Sequence, residues 1–154
     1  MSLLPDLIRV FLSSTVGTLG FAAILHAPKR AWFSSAVLGG ISYAMYWLLM
    51  QLGMSDPAAI FIASVAASLM AQICARKIHM IATIFVALSI IPLVPGLGLY
   101  HCMELLGQGR NAEGLQTGVA AMISVMMIAL GVAVGAFIFR AALNIAHHYR
   151  KEAA

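Results

Sequence analysis

The residues with the most chemical scope lie in one stretch, Ile90-Ile91-Pro92-Leu93-Val94-Pro95-Gly96-Leu97-Gly98-Leu99-Tyr100. Proline has no N–H, so Pro92 deprives the Leu88 carbonyl of its helical donor, and Pro95 does the same to Ile91. Gly96 and Gly98 add backbone freedom. A helix begun at Ile78 reaches Ile91 after 14 residues, about 21 Å at 1.5 Å per residue. That is short of the roughly 30 Å of a bilayer core. The stretch is therefore expected to break part-way across and to resume near Gly98, with Pro95 in the first turn of the second piece. The amides of Gly96, Leu97 and Gly98 would then face an anion, as free helix N-termini do. The released carbonyls of Leu88 and Ile91 would accept from a cation. Such a pair of charges suits a zwitterion such as an amino acid, and interrupted helices mark transporter substrate sites. A plain proline kink shaped by packing is the alternative.

Other polar candidates are few. Tyr100 would close the outer end of the site with its hydroxyl. Ser13, Ser14 and Thr15 are weaker candidates for lining it, because hydroxyls in membrane helices mostly bond their own backbone. Tyr43, Tyr46 and Trp47 suit an interfacial belt at the outer end of a span, and Trp32 suits the inner end. His26, His79 and His101 fall at span ends. His101 and Glu104 are spaced i, i+3, but two ligands do not make a metal site. No metal and no cofactor is expected. No Asp, Glu, Lys or Arg falls mid-span, where proton-coupled pumps usually hold one. Transport would then be uncoupled, or a second subunit would supply the group. No serine sits in a G-x-S-x-G elbow and no mid-span histidine could act as base, so a catalytic residue is not expected and an enzyme is disfavoured.

The elements that must position these residues follow from composition. Of 154 residues, 62% are hydrophobic and 9% charged, against about 25% charged in a soluble domain. A soluble enzyme, a disordered tail and a nucleic-acid-binding module are excluded. Long neutral runs separate the charges, and about 20 apolar residues cross a bilayer as a helix. Five spans are expected, about 7–25, 31–52, 57–75, 78–100 and 115–139, in an all-α, polytopic membrane protein. The chain reads as one membrane domain over 1–154 with a basic tail at 140–154. Strand alternation is absent, which disfavours a membrane barrel. The first apolar stretch runs into Pro28-Lys29-Arg30 and not into a cleavage site, so it reads as retained.

Loops one and three and the C-terminus together carry seven of nine Lys and Arg and one of five Asp and Glu. Lys and Arg mark the cytoplasmic side, which predicts N-terminus out and C-terminus in. The net charge of +4 is then a topology signal and a contact for anionic lipid. Nucleic acid is not expected as a partner. Cys74 and Cys102 fall near opposite faces and are not expected to pair. Small residues that let helices approach form several lines: Gly131 with Gly135, Ala63-Ala67-Ala71, Ser64 with Ser68, Ser13 with Gly17, and Ser35 with Gly39. They could pack one bundle or meet a partner subunit.

Two of these stretches, with the five-span size, carry a family resemblance. Gly20-Phe21-Ala22-Ala23-Ile24-Leu25-His26-Ala27-Pro28-Lys29-Arg30-Ala31 is similar to the G-F-A-hydrophobic-N-x-P-x-R-A stretch of the threonine/serine exporter family, with His26 where many members have Asn. Ile90–Tyr100 is similar to its P-hydrophobic-x-P-G-x-x-x-Y signature, which falls on Pro92, Pro95, Gly96 and Tyr100. The five spans resemble the second half of the family's ten-span single-chain members. The resemblance implies a small component working with a larger membrane subunit to export threonine and serine across the cytoplasmic (inner) membrane. Some two-component relatives are linked instead to dicarboxylate, specifically succinate, export. A non-transporting accessory subunit that stabilises the large component, and a homo-oligomeric channel, are the other readings.

Overall fold

The computed structural model describes residues 3–152, and the side chains of residues 4–145. Six helices follow one another: α1 Leu3–Ile24, α2 Lys29–Gln51, α3 Asp56–Ile78, α4 Ala82–Ile90, α5 Gly96–Gly107 and α6 Asn111–Glu152. A 3-10 turn, Ile91–Leu93, follows α4. No strand occurs among the described residues. Helices α1, α2, α3 and α6 are each long and apolar enough to cross a membrane. The segments 82–93 and 96–107, bent by 51° against each other, form a fifth span when counted as one.

Local chemistry sets the boundaries. Ser55 precedes α3, and Pro57 stands in its first turn, where a missing N–H costs nothing. Asp56 lies at the positive end of α3, and Arg76 and Lys77 at the negative end. His79 ends α3 in the left-handed region at φ 56°. That stop comes after Ile78, so Ile78 closes the third span, and the fourth begins at Ala82. Gly53 and Gly109, at φ 81° and 77°, make the tight reversals before α3 and α6.

Helix α3 is the hub, flanked by α2, α4 and α6. Its inner face is a line of small residues, Ala59, Ala63, Ala67, Ala71 and Ala75, all buried. Helix α6 runs parallel to it, with Gly131 set against Ser64 and Gly135 against Ser68. Ser68 Oγ donates to the Val132 carbonyl at 3.1 Å across this contact. The GxxxG line thus packs inside the chain. So does Gly39, which sits against Thr18 of α1. The Ser13–Gly17 line differs: Ser13 is exposed, and nothing lies within 4 Å of a Cβ built on Gly17. That face of α1 looks outward. Both cysteines are free.

Helix α5 packs chiefly on the first part of α6, with Gly98 against Ala121, Cys102 against Gly118 and Leu106 against Gly114. Since Ser124 is level with Asp56 at the start of α3, the α5–α6 hairpin extends past the end of α3. Residues 111–123 amount to about 20 Å of helix.

Candidate functional site

The interruption of the fourth span forms as the prolines demand, but its hydrogen bonds are arranged differently from the sequence expectation. The Ile91 carbonyl is not released: it accepts from the Val94 N–H at 3.2 Å. Pro95 lies just before α5, at φ −76° and ψ 58°. These are the angles of an inverse γ-turn, and the Gly96 N–H closes it on the Val94 carbonyl at 2.7 Å. The Gly96 amide is therefore spent on the turn. Helix α5 starts at Gly96, two residues before the expected point. The Leu99 N–H bonds the Pro95 carbonyl at 3.1 Å. Among the described residues the amides of Leu97 and Gly98 find no backbone acceptor. They are the free donors of this helix end.

Beside the turn is a cavity of about 300 Å³, at the lower end of the usual size for small-molecule sites. One wall is the break itself, Pro92 through Leu97. The others are Tyr43 and Tyr46 from α2, Asp56 and Ile60 from α3, and Ser124 from α6. The carboxylate of half-buried Asp56 ties three helices together. It accepts from the Tyr46 hydroxyl at 2.5 Å and lies 3.4 Å from the Ser124 hydroxyl, whose one proton it shares with the Ala120 carbonyl at 3.2 Å. The rings of Tyr43 and Tyr46 lie 5.7 Å apart, tilted by 42°. A groove between α1 and α2 is larger, about 390 Å³, but its walls (Leu7, Phe11, Ile41 and Leu48 among them) are apolar and cannot orient a polar cargo.

The cavity brings together Pro92, Pro95, Gly96 and Leu97 of the residues singled out in the sequence. Gly98 follows one residue on, packed towards Ala121. Tyr100 is on the exposed face of α5, its ring 5.8 Å from that of His101. Ser13, Ser14 and Thr15 belong to the first helix and do not line this cavity. Ser13 is on the outer face of α1. The Ser14 carbonyl accepts from Thr18 at 2.8 Å. Thr15 donates to the Phe11 carbonyl at 2.7 Å and packs beside Gly40 of α2.

Sequence reasoning missed Tyr43, Tyr46, Asp56 and Ser124 as lining residues. From the sequence the tyrosines read as interfacial anchors, and Asp56 and Ser124 were not singled out. One signal was available: Asp56 is the only Asp, Glu, Lys or Arg between Arg30 and Arg76.

This interrupted span carries the signature by which the sequence resembles the exporters, and the family described as Threonine/Serine exporter, ThrE, matches residues 10–138. The chain belongs to the threonine/serine exporter family. It is a multi-pass membrane protein of an exporter family. No curated protein and no solved structure matches it. The matched residues include every lining residue of the cavity and leave out only the two ends of the chain.

Proposed function

We propose that this chain is the small subunit of a two-chain threonine/serine exporter of the cytoplasmic membrane, and that cargo occupies the cavity at the α4–α5 break. One observation carries the reading. In a chain with so little polar surface, the broken main chain, a carboxylate and two hydroxyl donors meet around one cavity. Irregular backbone at membrane depth is tolerated where it is sheltered by protein or lines a water-filled space. The free amides of Leu97 and Gly98 suit a carboxylate, and Asp56 suits a positive group. Both ends of an amino acid would be held, and the apolar walls would take the rest. Against a dicarboxylate, the cavity sets the charge of Asp56 and no basic side chain among its lining residues. Like charges brought together cost free energy. The larger partner supplies what these spans lack, an ionisable group at mid-depth.

Reconstitution tests this. Liposomes would hold the chain alone, the larger subunit alone, or both, loaded in turn with serine, threonine and succinate. The pair should release serine and threonine, and neither chain alone should do so. Gly96→Val serves as the site variant, because nothing lies within 4 Å of a Cβ at that position and the fold should tolerate it. Gly96 lines the cavity, and added bulk there should lower efflux by at least about tenfold, the equivalent of 1.4 kcal/mol. Normal efflux in Gly96→Val would remove the cavity from the path. Loss of co-purification, with transport intact whenever the pair assembles, would make the chain an accessory subunit.

A further inference from the structure

We infer that Asp56, together with the faces of Tyr43 and Tyr46, receives the ammonium group of the cargo, so that this exporter separates amino acids from hydroxy acids of the same size. The inference rests on the reading of the α4–α5 cavity as the cargo site.

An acid in the first turn of a helix ordinarily serves that helix end. Asp56 does more, because one of its oxygens takes the hydroxyl of Tyr46 on α2, while the other lies 3.4 Å from Ser124 on α6, whose single hydroxyl proton is shared with the Ala120 carbonyl at 3.2 Å, and the carboxylate is held at the cavity wall. An ionised carboxylate offers about four acceptor positions, and these two bonds leave room for a further donor. Among the described residues no Lys or Arg pairs with it. The nearest cations in sequence, Arg30 and Arg76, lie at the far ends of α2 and α3, about 30 Å along the helices. Among the described residues the charge of Asp56 therefore has no basic partner. Tyr43 and Tyr46 line the same cavity, and an aromatic face draws a cation within about 6 Å of its centroid. A carboxylate beside two aromatic rings is a chemistry for ammonium. It offers nothing to a second carboxylate.

The test uses the chain assembled with its larger subunit in liposomes. Release of radiolabelled serine is measured against two competitors on the loading side. Ethanolamine keeps the ammonium and hydroxyl groups and lacks the carboxylate. Glycerate keeps the carboxylate and hydroxyls and lacks the ammonium. With the wild-type pair, ethanolamine should compete and glycerate should not. Asp56→Asn keeps the shape and removes the charge. It should lower serine release by about 10- to 100-fold, the range for a hydrogen bond to a charged group, and shrink the preference for serine over glycerate by a similar factor. Asp56→Glu should keep that preference. Glycerate competing as well as ethanolamine in the wild type overturns the assignment of Asp56, even if Asp56→Asn does not accumulate. So does an Asp56→Asn pair with unchanged preference. A wild-type pair that moves neither serine nor threonine overturns the exporter reading, and the assignment falls with it.

Discussion

A Cβ added to Gly131 would lie 2.7 Å from the Cβ of Ser64 and 2.8 Å from the Phe61 carbonyl oxygen. The second neighbour is backbone, so relief requires α3 and α6 to separate. Gly131→Ala should destabilise the chain by about 1–3 kcal/mol, as overpacking does, measured by thermal unfolding in detergent. Gly17→Ala is the control: nothing is within 4 Å, and alanine's higher helix propensity should make it neutral or stabilising by up to about 1 kcal/mol. Tyr46→Phe should remove the hydroxyl bond to Asp56, lowering stability by about 1.5 kcal/mol and serine efflux severalfold in the reconstituted pair. The GxxxG spacing was legible because it describes a groove on one helix. What fills that groove was not, since spacing along α6 says nothing about α3. Asp56 was hidden for a related reason. In sequence it is a lone acid beside Pro57 at the edge of a span, and its partners Tyr46 and Ser124 become neighbours only once α2, α3 and α6 have packed.

The broken span works as an element because two prolines and the γ-turn act together. Proline inside a helix costs about 3 kcal/mol or more. Replacing both Pro92 and Pro95 with alanine should therefore let α4 run on through Val94 and reduce the 51° bend between the two pieces. Distances between spin labels on α4 and α5 would lengthen. Serine efflux would be lost while membrane insertion stayed normal. An unchanged distance would mean that packing against α2, α3 and α6 sets the bend without the prolines. The existence and place of the break could be read from the sequence, since missing donors are a covalent property of proline. The spending of the Gly96 amide could not, because the ring fixes φ of Pro95 and leaves ψ free, and it is ψ near 58° that turns the amide onto Val94. The run of α3 on to Ile78, three residues past the expected end of the third span, and its stop at His79 were equally unannounced: a non-glycine residue at φ 56° follows from tertiary context and not from composition.

Across the whole molecule, the basic cluster at the start of α2 and the end of α3 lies at the opposite end from the cavity. Lys29, Arg30, Arg76 and Lys77 gather where α2 starts and α3 finishes, and Arg76 stacks over the Phe139 ring at 5.6 Å. Asp56 and the break lie towards the other end of α3. If Lys and Arg hold their end in the cytoplasm, the cavity opens to the outer half of the membrane, where exported cargo leaves. The long apolar spans were legible because hydropathy alone sets them, and the fifth appears when the two pieces of the broken span are counted as one. The side on which the cavity opens needed the packing of the α5–α6 hairpin beyond α3. Accessibility tests this arrangement. With Cys74 and Cys102 replaced by alanine, Ser124→Cys should react with a membrane-impermeant thiol reagent added outside intact cells, and excess serine should slow that reaction. Labelling only from the cytoplasmic face of inverted vesicles would reverse the orientation and make the cavity an entry site for cargo. Labelling from outside without protection by serine would keep the orientation and remove the cargo from the cavity.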